Sequence, residues 1–552
     1  MYPADFAATH PDKPAVIMAG PDEGGGQSRQ QTYRELVAGA NRLARLLLDA
    51  GLRPGDHYAI LAENHLRYFE LAWAGLNTGL YVTAVNSHLT APEAAYLIND
   101  SGAKVVISTR ALAAVAEELV PLAPGVVTRL MLDGGSEHYE SYDEAVAAYP
   151  PEPVEDEVRG AFMLYSSGTT GRPKGIRFPL PGHPASDGDA ELLPSSRALF
   201  RLTDETVFLS PAPLYHAAPL RVSCLVHCTG GTVVVLPRFD AAQALRAIEE
   251  HRVTSSQWVP TMFVRMLKLP QEARERYDLS SMTTAVHAAA PCPPDVKRQM
   301  IEWWGPIIFE YYSGTENTGT TALSSEEWLA HPGSVGRPAG CTLHICGEDG
   351  AELPPGETGV VYFERPGPEF AYHNDPERTA ATRHPGQPGW RTLGDIGHLD
   401  ADGYLYLDDR RDFTIIAGGV NIYPREIEDV LITHEDVADV AVFGVPHPDL
   451  GEQVKAVVQP ARWADAGDEL AARLLAHCEA RLARFKWPRS FDFTPELPRQ
   501  DNGKLYKKPL RDAYWPAGAG KAGAGKTGAG QRATTGGQPA DQEEAPLGVP
   551  LN

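Results

Sequence analysis

Apolar residues recur along the chain at two spacings. Leu36, Ala40, Leu43 and Leu47 fall on one face of a helical period. They follow Thr32-Tyr33-Arg34-Glu35, a capping box in which Thr and Glu satisfy the first free amides. Gly51 predicts the stop, because glycine takes the left-handed conformation that ends helices. Asp240 to Gln243 opens a second helix with Leu245 and Ile248 inward. Between such helices stand short unbroken apolar runs, Val105-Val106-Ile107 and Val233-Val234-Val235-Leu236, the pattern of strands covered on both faces. Val253 to Val259 reads as another strand, closed by Pro260. The alternation predicts an α/β fold with a substantial core.

The pattern changes after about residue 410. Pro424 marks the start of a helix running to Leu431, Val437 to Val445 and Gln453 to Val458 read as strands, and a helix is expected from Asp468 to Arg484, followed by the strand-like Phe491-Asp492-Phe493. This is a small α+β unit with its own modest core. Asp408-Asp409-Arg410-Arg411-Asp412 is polar enough to be a hinge. The expected division is therefore 1–410, 411–515 and a Gly- and Ala-rich tail, 516–552, read as disordered. Gly520, Gly525, Lys526 and Thr527 in that tail match Walker spacing, but no strand or helix flanks them, so the match is read as chance.

Composition narrows the function. At 552 residues the chain is too long for one compact core. Its 43% apolar and 22% charged residues are ordinary for a globular protein. The formal net charge of −23 repels a phosphate backbone, which argues against nucleic-acid binding and requires local cations for any anionic substrate. No stretch approaches the apolar length of a membrane span, and the first residues lack a secretory pattern, so a cytoplasmic protein is expected, with peripheral membrane association left open. The six Cys are scattered without zinc-site spacing and read as core thiols, Cys292 included.

The chemistry concentrates in Tyr165-Ser166-Ser167-Gly168-Thr169-Thr170-Gly171-Arg172-Pro173-Lys174-Gly175, which follows the apolar Phe162-Met163-Leu164. Glycines let backbone N–H groups approach phosphate oxygens, hydroxyls add donors, and Lys174 adds charge. Pro173, Pro179 and Pro181 argue against a following helix, so the segment is expected to be a loop between strands.

This segment resembles the phosphate-binding signature of the adenylate-forming superfamily, which includes acyl-CoA synthetases. The resemblance runs from about residue 5 to 515 through further motifs in the expected order. It implies a large multi-subdomain N-terminal α/β domain and a small mobile C-terminal one. Tyr311-Tyr312-Ser313-Gly314-Thr315-Glu316 resembles the family's aromatic-Gly-x-Thr-Glu segment, with Ser313 in place of the usual Gly. By that match Tyr312 would stack on adenine, with Tyr311 and Ser313 beside it, Thr315 would meet the α-phosphate, and Glu316 would hold Mg²⁺, a hard cation that prefers oxygen ligands. Trp390-Arg391-Thr392-Leu393-Gly394-Asp395 implies that Asp395 takes the ribose hydroxyls, although Leu393 replaces a Thr. Arg410 would join it, and Asp412 would be the hinge. Gly418 and Gly419 would line the passage for the CoA arm. Lys504, in Pro498-Arg499-Gln500-Asp501-Asn502-Gly503-Lys504, would bridge the acid's carboxylate and the α-phosphate.

The resemblance thus implies ATP-dependent activation of a carboxylic acid to acyl-AMP, then transfer to CoA. The catalytic set would be Lys504, Thr170, His216 and Glu316, and the nucleotide-side set also takes in Ser166, Ser167, Gly168, Thr169, Gly171, Lys174, Ala289, Ala290 and Pro291. His216 matches a position near the reacting carboxylate. Trp258 and its neighbours resemble a pocket wall for an apolar acid, fatty or ring-bearing, and no Asp stands out to anchor an amino group. Two other readings stay open: loading of a carrier protein, and a non-catalytic nucleotide-binding relative. A homodimer is also left open.

Overall fold

The computed structural model describes residues 2–20, 29–166, 173–187, 193–410, 413–417, 420–448, 450–499 and 505–515. Two large sheets dominate. One has nine strands, parallel at its centre through Pro14–Met18, Thr232–Val235, Val207–Ser210, Ser255–Trp258, Thr284–His287 and Ile308–Ser313, with antiparallel pairs at both edges. The other has six parallel strands, with His57–Leu61 between Tyr81–Val85 and Val105–Thr109.

Strand periodicity explains how the sheets stack. Val233 and Val235 point into one cluster while Val234 and Leu236 point into another, and Ile60 and Ile107 face opposite to Ala59 and Val106. The largest cluster lies between the two sheets, filled by helices Tyr33–Asp49, Tyr68–Leu76 and Ala217–Thr229. The expected helix starts are present. Thr32 caps the first helix as a full capping box, and Asp240 caps Ala241–His251 by accepting from the Gln243 amide. The strand expected over 253–259 is shorter, because Val259 already caps the helix that Pro260 begins.

After the nine-stranded sheet the chain builds a five-stranded sheet from Thr342–Cys346 to Leu405–Arg410 around its own small core. The C-terminal part forms a separate sheet around Gly451–Pro460, which pairs antiparallel with Val437–His447 in a long hairpin and parallel with Ser490–Phe493. Helices Pro424–Leu431 and Asp468–Glu479 cover this sheet. The second helix ends at Glu479 rather than Arg484. The chain turns there so that the Leu482 carbonyl accepts the Trp487 indole N–H at 2.9 Å. The fold is α/β with a large N-terminal part and a small C-terminal α+β domain. Lys268 Nζ, donating to the Val437 carbonyl at 2.8 Å, and Arg425 Nη1, donating to the Leu407 carbonyl at 2.8 Å, tie the two together. Among the described residues no helix is long and apolar enough to cross a membrane.

Candidate active site

A cavity of ≈ 1100 Å³ opens at the carboxyl ends of the parallel strands in the nine-stranded sheet. Its walls come from Ser210 to Ala212, Gln257 to Pro260, Ala288 to Pro291 and Glu310 to Glu316, each leaving the end of a different strand. Ser166, Lys174, His216 and Asp395 reach the same space from other elements. The C-terminal domain closes one side with Arg425, Asp439, Gln459, Arg499 and Lys507.

Strands flank the expected loop at its described ends. Leu164–Ser166 and Lys174–Arg177 are antiparallel strands with Ser166 opposite Lys174. Ser167, Gly168, Thr169, Thr170 and Gly171, between them, lie outside the described residues. Lys174 Nζ sits 4.9 Å from the centre of the Tyr372 ring. Tyr372 Oη donates to Glu316 Oε1 at 2.8 Å, and the ring is held among Ile176 and Phe370. Tyr372 therefore links the loop lysine to the acidic residue. The sequence reading missed it, because a Tyr in Ala371-Tyr372-His373 has no local mark. Only the pairing of Ile176 with Tyr372 brings it there.

On the opposite side the Tyr312 hydroxyl donates to the Asp395 carboxylate. Gly394 takes φ +83 and its N–H meets Thr392 Oγ1 at 3.0 Å, a glycine turn that presents Asp395. Arg410 pairs across the strands with Asp395 through its backbone, while its side chain lies outside what is described. Gly314 lets the Glu316 segment approach Leu393, since a Cβ there would lie 2.5 Å from the leucine. The Thr315 carbonyl accepts from Arg221 Nη1 at 3.4 Å, and Ser313 Oγ donates to the Gly319 carbonyl at 2.8 Å. Tyr311, adjacent to Tyr312, faces another way. Its hydroxyl accepts from Gln257 Nε2 at 2.8 Å and its ring meets Phe200 edge-on.

His216 stands at the N-terminal end of helix Ala217–Thr229 without a side-chain capping bond, and its ring lies against Tyr215. Ala289, which lines the cavity with Ala290 and Pro291, takes φ +74 without being glycine. Beneath this wall lies a buried charge cluster that motif reading did not identify. Lys297 Nζ is 2.6 Å and His287 Nε2 3.4 Å from Glu310 Oε2, all three nearly enclosed. Burial pushes the Glu310 carboxyl up, but the charge and hydrogen bond of Lys297 pull it further down, so it stays ionised. Burial lowers His287 to about 3, so it is neutral. Cys292 is a free, buried thiol pushed well up by burial, in keeping with a packing role.

Lys504, Asp412, Gly418 and Gly419 lie outside the described residues. Arg499 and Leu505, on either side of Lys504, line the large cavity, and Arg499 is anchored by Asp439, with Nη2 to Oδ1 at 2.7 Å. Ala417 and Val420 line a separate small cavity with Leu450 and Phe485. Among the described residues no group of three or more His, Cys, Asp or Glu could hold a metal.

Lys174, Glu316 and Asp395 thus meet on one cavity with apolar side chains from the strand ends of the large sheet. The family described as AMP-binding enzyme matches residues 4–372, and the AMP-binding enzyme C-terminal domain matches residues 426–504. The chain belongs to this adenylate-forming superfamily and is an acid–thiol ligase. It is 37% identical to feruloyl-CoA synthase of Amycolatopsis sp over 87% of this chain and 93% of that one. It is 33% identical to the long-chain-fatty-acid–CoA ligase FadD13 of Mycobacterium tuberculosis over 88% of this chain and 93% of that one. Among solved structures, ATP-bound MatB from Rhodopseudomonas palustris superposes with a TM-score of 0.76 at 29% identity, covering 93% of this chain and 99% of that one.

Proposed function

We propose that this protein activates an apolar carboxylic acid with ATP to an acyl-AMP and transfers the acyl group to CoA, releasing AMP and pyrophosphate. The observation that carries this reading is the convergence of Lys174, Glu316, Tyr312 with Asp395, and His216 on one cavity that also has a largely apolar side, with Phe200, Val222, Leu225 and Trp258. In the first step a carboxylate oxygen bonds to the α-phosphorus as the bond to pyrophosphate breaks. In the second the CoA thiolate attacks the acyl carbon and AMP leaves. Both partners of the first step are anions, so catalysis is positioning and charge neutralisation.

Lys174 with Ser166, Ser167, Gly168, Thr169, Thr170 and Gly171 cradles the phosphates in this reading. Asp395 and Arg410 hold the ribose, Tyr312 the adenine, and Lys504 the carboxylate and α-phosphate together. Thr315 meets the α-phosphate, and Ser313, Ala289, Ala290 and Pro291 complete the nucleotide wall. His216 stands at the reacting carboxylate. In this reading Tyr311, in contact with Phe200 and Gln257, serves the acid side rather than the nucleotide, a role that its contacts support. Glu316 fits Mg²⁺ held mainly by the nucleotide, because it offers one hard carboxylate already oriented by Tyr372. When bound, Mg²⁺ would neutralise phosphate charge. Residues 411–515 are proposed to rotate about Asp412, presenting first Lys504 and then Gly418 and Gly419.

The acid side is lined by Leu199, Phe200, Val222, Leu225, Trp258 and Val264, which supports an apolar skeleton. The relatives named above act, by their names, on feruloyl and long-chain fatty acyl groups. A carrier protein as acceptor is the second reading, favoured by 30% identity to the fatty acid–[acyl-carrier-protein] ligase ScoC of Streptomyces coeruleorubidus over 94% of this chain. The test is acid-dependent ATP–pyrophosphate exchange. It is followed by AMP release across linear, aromatic and polycyclic acids with CoA or a holo-carrier protein. Absence of acid-dependent exchange would refute the reading, and turnover only with the carrier would replace CoA.

A further inference from the structure

The acid side of the cavity is not uniformly apolar. Gln257 and Ser210 line it from the ends of neighbouring parallel strands, and both are nearly enclosed, at 7% and 1% exposure. Gln257 Nε2 donates to Tyr311 Oη, while Gln257 Oε1 and Ser210 Oγ have no hydrogen-bond partner in the protein. The Tyr311 O–H likewise has no acceptor among the described residues. Turning the Gln257 amide over would let Tyr311 donate to Oε1 and leave Nε2 unpaired instead, with Ser210 Oγ unpaired either way. Burial pushes the Tyr311 phenol up to about 12, so it keeps its proton near neutrality.

Buried polar atoms are almost always paired, so unspent groups on Gln257 and Ser210, beside the Tyr311 hydroxyl, call for a ligand or solvent partner. The chemistry of the set is specific. A phenol that can donate, an amide that can accept and a serine that can do either match a hydroxyl, which both donates and accepts. Around them stand Phe200, Val222, Leu225 and Trp258.

We infer that the acid this enzyme activates carries a hydroxyl on its otherwise apolar skeleton, held between Tyr311, Gln257 and Ser210. This rests on the acyl-activating reading above and narrows its substrate class. Tyr311 and Gln257 are then specificity-determining residues: they discriminate among acids and take no part in phosphoryl or acyl transfer.

The test compares matched acids that differ only by one hydroxyl: cinnamic and 4-hydroxycinnamic, decanoic and 10-hydroxydecanoic, cholanic and 3-hydroxycholanic. The readout is kcat/KM for acid-dependent pyrophosphate exchange on the full chain. Sites built to hydrogen-bond a hydroxyl reject the analogue without it, so at least one hydroxy acid should exceed its partner by roughly 10²-fold or more. Tyr311→Phe and Gln257→Leu should each bring that ratio towards one, chiefly by slowing the hydroxy acid. The wild-type comparison stands even if a variant does not fold. Exchange with these acids but no preference for any hydroxy partner, or a preference unchanged in both variants, overturns the inference alone. No exchange with any acid overturns the acyl-activating reading and the inference with it.

Discussion

Replacing Lys297 by Met removes one charge from a buried pair and keeps the aliphatic stem. Glu310 would then hold its carboxylate in a nearly closed site, with neutral His287 3.4 Å away. Breaking a buried ion pair by removing one partner typically costs about 3–5 kcal/mol. Unfolding entropy is about 2.1 cal/mol/K per residue, so a cooperative unit of roughly 400 residues should lose about 5 °C in Tm. The effect should depend on pH. In the native protein Glu310 sits below its usual range, so its contribution is present above the unfolded carboxylate pKa and is lost on acidification through the lower native value. In the variant the sign reverses. His287 and Glu310 together retain a proton that the unfolded chain has released above about pH 6.5. Stability should therefore fall as pH rises, and the deficit should be larger at pH 8 than at pH 6. Differential scanning calorimetry of the wild type, Lys297→Met and Lys297→Met/Glu310→Gln at both pH values tests this. The double variant should recover at least half of the loss. A single variant within 1 °C of wild type at pH 8 would show that the pair is not worth its buried-site value, as would a double variant no better than the single one.

Three further perturbations address the chemistry. Tyr372→Phe deletes the hydrogen bond to Glu316 but keeps the ring beneath Lys174. A bond to a charged group is worth about 1.5–3 kcal/mol, so pyrophosphate exchange should slow roughly 10- to 100-fold. ATP binding by calorimetry should change little in this variant and weaken in Tyr372→Leu; unchanged exchange in the Phe variant would separate Glu316 from the reaction. Lys504→Ala should slow adenylate formation by about 10²–10³, as loss of one charge-stabilising donor does, and wild-type exchange in that variant would remove Lys504 from the mechanism. Asp412→Pro fixes φ at the proposed pivot and should reduce thioester formation from preformed acyl-AMP more than pyrophosphate exchange, with equal losses arguing against a hinge.

Local grammar made much of the fold legible. Thr32 with Glu35 and Asp240 with Gln243 mark helix starts because a cap needs only residues within one turn. Val105 to Ile107 announces a doubly covered strand by composition alone. The two-strand reading around the phosphate loop followed from prolines that forbid a helix, and Ser166 does face Lys174. Where the outcome depends on packing, local grammar fails. Helix Asp468–Glu479 stops before its apolar run ends, because Leu482 and Trp487 are drawn into the domain core.

The same division holds at the site. The amino-acid order determined the chemical inventory: a hydroxyl- and glycine-rich loop with its lysine, the Thr-Glu pair, the Gly-Asp turn and the lysine near the C-terminus. Each is recognisable because its atoms must act together over a few residues. Tertiary structure alone decided that Tyr372 links Lys174 to Glu316, that Tyr311 turns towards Gln257 while Tyr312 turns to Asp395, and that Lys297 and His287 close on Glu310. Those relations depend on strand order and on which face a side chain takes. Hydrogen bonds and buried charges act over a few ångströms of space, whatever distance along the chain separates their partners.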